Sequence, residues 1–137
     1  MTDKIFLITV NPEKLDFARK AFQQTNIQLE QIDSDYSEIQ ASSSLEVARH
    51  TIENFIGEYN RPVIREDHSL YLDAIPSFPG PYLSYFDERL DAEKLLELVE
   101  GEKRTGYFEV GTVLGLPNGE MKEYSFQVPV NIAEEIS

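Results

Sequence analysis

The stretch that most constrains the fold is Ile5-Phe6-Leu7-Ile8-Thr9-Val10, followed without a gap by Asn11-Pro12-Glu13. A nearly unbroken apolar run rich in β-branched residues suits a strand buried on both faces of a sheet. Asparagine, then proline, then an acid reads as a helix cap, a first helical position with φ already set, and a negative charge at the positive end of the helix. Leu15, Ala18, Ala21 and Phe22 then recur at helical spacing to about Gln24. Strand, tight turn and helix open the fold.

Further along, Ile27 to Ile32 alternates apolar and polar residues as a half-buried strand does. A polar connection from Ser34 to Ser44 leads into a second helix, whose face is Leu45, Ala48, Ile52, Phe55 and Ile56 and which Gly57 ends. Arg61-Pro62 restarts the chain into a short strand, Val63-Ile64, that delivers Glu66 and Asp67 at its end. Leu70 to Ala74 is a second extended piece. Pro76, Pro79, Gly80 and Pro81 are then expected to break regular structure across an aromatic loop from Phe78 to Phe86. Asp91 caps a third helix that Gly101 ends, and Pro117-Asn118-Gly119-Glu120 joins two β-rich runs, Tyr107 to Leu116 and Met121 to Val130, as a hairpin. The order β-α-β-α-β-β-α-β-β predicts an α/β fold with a mixed central sheet flanked by helices.

A chain of 137 residues suits one domain, so residues 1–137 are expected to share one core. The 41% hydrophobic content, with 8 Phe and 7 Tyr, supplies the apolar surface for it. A formal charge of -13 disfavours nucleic acid as a partner, because phosphate-backbone binding rests on Lys and Arg displacing counterions. An acidic protein that holds a small polyphosphate needs a cation between its carboxylates and the phosphate oxygens, although the same acidity also serves plain solubility. With no cysteine, disulfides, thiolate metal sites and thiol nucleophiles are all excluded. Neither a signal-peptide pattern nor an apolar run of membrane-spanning length is present, so a soluble cytoplasmic protein is expected.

Two stretches sit where chemistry is favoured. Thr9-Val10-Asn11-Pro12-Glu13-Lys14 places hydrogen-bond donors and a lysine at a helix N-terminus, where free backbone N–H groups and the helix dipole stabilise an anion. The same residues also make an ordinary cap and a solvated lysine, and such caps are common. Arg65-Glu66-Asp67-His68-Ser69-Leu70 puts two adjacent carboxylates after a strand, the end at which open α/β sheets gather ligands. Neighbours on an extended segment point to opposite faces, so Glu66 and Asp67 should differ in role. The alternative is a charged turn neutralised by Arg65 or Arg61. His68 could act as a base or ligand, but with two histidines in the chain and no second one nearby the better reading is an incidental polar loop residue. Glu38, in the loop before the second helix, is one acid among 25 and is not singled out by pattern. Tyr82, Tyr85 and Phe86 suit either base stacking or covering a core edge.

Taken in order, Thr9-x-Asn11-x-x-Lys14, Glu38-Ile39-Gln40, Pro62-Val63-x-x-Glu66-Asp67-x-x-Leu70 and Phe78-Pro79-Gly80-Pro81-Tyr82 resemble the inosine triphosphate pyrophosphatase family. Those enzymes hydrolyse inosine and xanthosine triphosphates to monophosphate and pyrophosphate. The resemblance continues more loosely through Leu95-Leu96 and Phe108 to Gly119. It implies an elongated α/β fold with a central cleft, Mg²⁺ as cofactor and a homodimer. It also implies phosphate contacts from Thr9, Asn11 and Lys14, with Lys14 and Asp67 as the catalytic pair and Glu38 and Asp67 on the metal. Glu66, His68, Ser69 and Tyr82 fall at positions expected to line the substrate.

The departures from the family are specific. Asp67-His68-Ser69 stands where the family has Asp-Ser/Thr-Gly, and Leu83-Ser84-Tyr85-Phe86 lacks a basic residue that many members carry after the tyrosine. The Phe-Gly-x-Asp-Pro and Ser-His-Arg motifs that complete the family's base pocket are absent from the chain. Three outcomes are therefore distinguished: an active triphosphate pyrophosphatase of altered substrate preference, a nucleotide-binding or regulatory domain without turnover, and an interaction module with no nucleotide affinity.

Overall fold

The structure is a computed structural model, which describes residues 3–33, 43–81 and 91–135. The elements are β1 (Asp3–Ile8), α1 (Pro12–Ala21), β2 (Ile27–Ile32), α2 (Ser44–Phe55), β3 (Val63–Leu72), β4 (Ile75–Gly80), α3 (Ala92–Leu98), β5 (Thr105–Gly115) and β6 (Met121–Asn131). They form one six-stranded mixed sheet in the order β2-β1-β3-β5-β6, with β4 added to the edge of β3. β1 runs parallel to β2 and β3, whereas β3, β5 and β6 are mutually antiparallel. The expected α/β architecture with a mixed central sheet is present.

The helix ends follow the sequence signals. Asn11 accepts from the backbone N–H groups of Glu13 and Lys14, Ser43 from Glu46, and Asp91 from Lys94. Gly57 takes a φ of +89° just past α2, a conformation that a side chain would disfavour. At the hairpin, Gly119 does the same at +93°.

Two expectations near the carboxylates are corrected. Val63-Ile64 and Leu70–Leu72 belong to one continuous ten-residue strand, β3, so Glu66 and Asp67 lie at its centre and not at its end. Full pairing with β5 from Val63 to Leu72 holds the polar residues in extended form. Ile75–Gly80 is also a strand, despite its prolines. Among the described residues β4 pairs only with β3, so a missing proline N–H need not break a ladder on both sides. A register shift at Tyr71/Leu72 and a φ of 61° at Ser77 absorb the irregularity.

Two cores grip the sheet. On one face, Ile8, Ile32, Val63 and Val113 pack against Ala48 and Ile52 of α2. On the other, Leu7 and Leu29 pack against Leu15 of α1, with Ile64 beside them. Each fully buried aliphatic side chain contributes about 1.5–3 kcal/mol of burial. The α2 face needs glycine at two points of contact. A Cβ on Gly111 would lie 2.9 Å from the Leu45 backbone nitrogen, and one on Gly115 would lie 2.6 Å from Ile52 Cγ2. Gly111→Ala should therefore push the first turn of α2 away from the sheet and cost about 1–3 kcal/mol. Urea unfolding followed by circular dichroism should show a lower midpoint at an unchanged slope, and an unchanged midpoint would refute this close packing.

Candidate functional site

The site is built on a notch in the sheet. Along one edge of β3, β1 pairs at Val63 and Ile64, and β4 pairs from Leu70 to Leu72. Between them, among the described residues, that edge carries no ladder, and its backbone groups need other partners. Lys14 Nζ supplies one by donating to the Glu66 carbonyl oxygen at 3.4 Å. Arg65 Nη1 clamps the approach from the other side by donating to the Ile8 carbonyl at 2.9 Å.

The turn that carries Lys14 is held from within. The Thr9 side chain is buried, and its Oγ1 accepts from the Asn11 backbone N–H at 3.1 Å. The Thr9 carbonyl accepts from Gln31 Nε2 at 2.8 Å, and its N–H donates to the Ile32 carbonyl. Asn11 Oδ1 caps α1 at 2.9 Å from Glu13 N. These bonds aim the first turn of α1 at the centre of β3. Thr9, Asn11, Lys14, Glu66 and Asp67, distant in sequence, thus occupy one corner of the fold.

Alternation along β3 separates the acids. Asp67 lies on the α2 face, buried, across the ladder from Gly111 and therefore beside the first turn of α2. The positive end of that helix favours a negative charge there. Ser69 shares the face, where its hydroxyl meets that of Ser44 in a short hydrogen bond, and Tyr71 stacks on Tyr107 with centroids 5.1 Å apart. Burial pushes the Tyr71 phenol up, and the negative charges of Glu109 and Asp67 act in the same direction against a hydrogen bond from Ser69. Glu66 and His68 lie on the opposite face, paired through Nε2 and Oε1 at 2.7 Å. Glu38 and Tyr82 fall outside the described residues.

Several residues that shape this corner are not flagged by sequence pattern. Gln31 looks like the exposed half of an alternating strand, and Ser44 like a routine residue in the first turn of a helix. Arg65 contacts the Ile8 carbonyl, a role that its position beside two acids does not suggest. Gly111 lies more than 40 residues from Asp67, and only the β3–β5 register reveals it as the space in which α2 approaches.

The hydrogen bond from His68 lowers the Glu66 pKa most, followed by the charges of His68 and Lys14, while burial opposes them. A carboxylate held below its unfolded value stabilises the fold fully above that unfolded value, about 4.3, and the stabilisation is lost as pH falls through the folded value. His68→Ala should therefore lower stability at pH 6 and flatten its decline between roughly pH 5 and pH 3. Urea unfolding across that range checks it, and an unaltered acid limb would rule the pair out as the cause.

Comparison with known proteins places this geometry in a family. The chain is 32% identical over 134 residues to the dITP/XTP pyrophosphatase of Methanopyrus kandleri, covering 96% of this chain and 71% of that protein. It is 35% identical over 133 residues to the dITP/XTP pyrophosphatase of Methanothermobacter marburgensis, again covering 96% of this chain and 71% of that one. Among solved structures, the HAM1 protein from Coxiella burnetii superposes with a TM-score of 0.84 at 21% identity, over 98% of this chain and 75% of that one. The Staphylococcus aureus Ham1 protein gives 0.78 at 22% identity, over 96% and 73%. The sequence model of the Ham1 family matches residues 5–136. By that match and these identities, the chain belongs to the Ham1 family.

Proposed function

We propose that this chain hydrolyses a nucleoside triphosphate between its α and β phosphates, giving monophosphate and pyrophosphate in a Mg²⁺-dependent reaction. The observation that carries the reading is the convergence of the α1 N-terminus with Glu66 and Asp67 at the notch of β3. The dITP/XTP pyrophosphatase activity named for similar relatives supports it.

The donors at the notch suit a polyphosphate. Asn11 Oδ1 is committed to capping, which leaves its Nδ2 as the donor for a phosphate oxygen. The Thr9 hydroxyl accepts from Asn11 N, and its proton is directed elsewhere. Lys14 uses one of three ammonium protons on the Glu66 carbonyl and keeps the others for phosphate. The bond between the α phosphorus and the bridging oxygen breaks as a water oxygen bonds to that phosphorus. The bridging oxygen then leaves on pyrophosphate. The water's proton passes to Asp67, the buried carboxylate at the position that the resemblance associates with the attacking water.

Asp67 and Glu38 would hold the cation, which when bound neutralises phosphate charge and makes a water more nucleophilic. Among the described residues no group of three or more His, Cys, Asp or Glu is placed to hold a metal. A buried oxygen donor such as Asp67 still fits Mg²⁺, which typically takes one or two carboxylates together with substrate phosphates and waters. The reading includes a homodimeric, cytoplasmic enzyme, as the resemblance implies. Among the described residues no helix is long and apolar enough to cross a membrane.

A second reading is a nucleotide-binding domain without turnover. It is favoured by His68, which sits locked to Glu66 where the family carries a small hydroxyl residue. Incubation with inosine, xanthosine and ordinary triphosphates, with pyrophosphate measured, separates the two. Release should require Mg²⁺ and stop with EDTA. Asp67→Asn should reduce kcat by about 10²-fold or more, and Lys14→Ala should raise KM. Metal-dependent binding with no pyrophosphate from any triphosphate would replace the first reading with the second.

A further inference from the structure

Regular pairing stops at the end of β1, just before the turn that carries the phosphate donors. β1 pairs with β3 through Leu7 and Ile64 and with β2 through Ile8 and Ile32, and the Thr9 N–H still donates to the Ile32 carbonyl at 3.2 Å. In an extended strand the N–H and C=O of one residue point to the same side and those of its neighbour to the other. The Ile8 carbonyl therefore faces β3 and the Thr9 carbonyl faces β2. Each is met by a side chain where a continued ladder would supply a backbone N–H: Arg65 Nη1 donates to Ile8 at 2.9 Å, and Gln31 Nε2 donates to Thr9 at 2.8 Å. The two donors come from opposite faces as well as opposite strands. Gln31 stands across from Leu7, on the face that α1 covers, whereas Arg65 alternates with Val63 and Asp67 on the α2 face. A side chain reaches farther than a backbone N–H, so β1 can part from its neighbours here and the notch can open with neither carbonyl left unpaired.

We propose that Arg65 and Gln31 are positioning residues for phosphate binding, a matched pair that holds the Thr9 turn in the form that receives a polyphosphate. The inference rests on the triphosphate reading above and adds two residues that act through the turn and not on the ligand. Peptide units are planar, so pinning the carbonyls on either side of Thr9 in opposite directions fixes its φ and ψ. The restraint then passes along the chain. Thr9 Oγ1 accepts from the Asn11 N–H at 3.1 Å, Asn11 Oδ1 accepts from Glu13 N at 2.9 Å, and the first turn of α1 presents Lys14 to the Glu66 carbonyl. Donors oriented in advance lose less freedom when a ligand arrives, which is a gain in affinity made without a contact. One member of the pair is charged and the other neutral, so what they share is a donor on a long side chain.

The test combines calorimetric titration of inorganic tripolyphosphate, with Mg²⁺ present, and amide hydrogen exchange at Asn11, Glu13 and Lys14. Gln31→Met and Arg65→Met keep an unbranched side chain and remove its donors. Each should weaken tripolyphosphate binding by roughly tenfold, the worth of about one oriented hydrogen bond. Exchange at the three turn amides should quicken while that of the β3–β5 ladder stays as in wild type. Arg65→Lys, which keeps a donor, should retain most of the affinity. Neutral Gln31 separates positioning from charge. A loss in Arg65→Met that Gln31→Met does not share would make Arg65 a direct electrostatic contributor and overturn the pair. Unchanged affinity in both methionine variants, in a protein whose wild type binds tripolyphosphate, overturns the proposal and leaves the triphosphate reading standing. Failure of the wild type to bind tripolyphosphate removes that reading and the proposal with it.

Discussion

The open edge of β3 between its pairings with β1 and β4 governs the rest of the site. A strand interior exposes backbone carbonyls only where a neighbour is missing, and an unpaired carbonyl draws a donor. Lys14 supplies that donor from the first turn of α1, so the helix N-terminus, the lysine and the centre of β3 are fixed relative to one another. The bonds that restrain Thr9 and Asn11 add rigidity to the turn. A polyphosphate site benefits from this arrangement because its donors are oriented before the ligand arrives, and little ordering entropy remains to be lost on binding.

Strand geometry then divides labour between the two faces. Asp67 is buried beside the first turn of α2, across the ladder from Gly111, whose missing side chain lets that turn approach, and helix polarity favours its charge. Glu66 and His68 look the other way and are hydrogen-bonded to each other. One ten-residue strand therefore offers a dry carboxylate to one side and a hydrogen-bonded pair to the other. In the proposed chemistry the first takes the proton and lies with the cation.

Much of this was legible from residues alone. Periodicity and helix-end signals located α1, α2 and α3, because burial and helix-end hydrogen bonding are local demands that Leu15, Asn11, Asp91 and Gly57 meet by themselves. The strand-turn-helix at Thr9 to Lys14 was equally readable. β3 was misjudged as two short pieces because Arg65-Glu66-Asp67-His68 has no strand-like alternation, and only the complete ladder to β5 holds it extended. β4 was hidden by Pro76 and Pro79, whose missing N–H groups matter less on a strand that, among the described residues, pairs only with β3.

What the sequence by itself determined is the set of local commitments: a buried first strand, a capped helix after it, a hairpin around Asn118-Gly119, and polar residues placed to meet an anion. Tertiary structure alone decided that Lys14 reaches the Glu66 carbonyl across 52 positions and that Asp67 is buried while Glu66 is not. The physical reason is that strand pairing and register are long-range, and a one-residue slip would move every side chain of β3 to the opposite face.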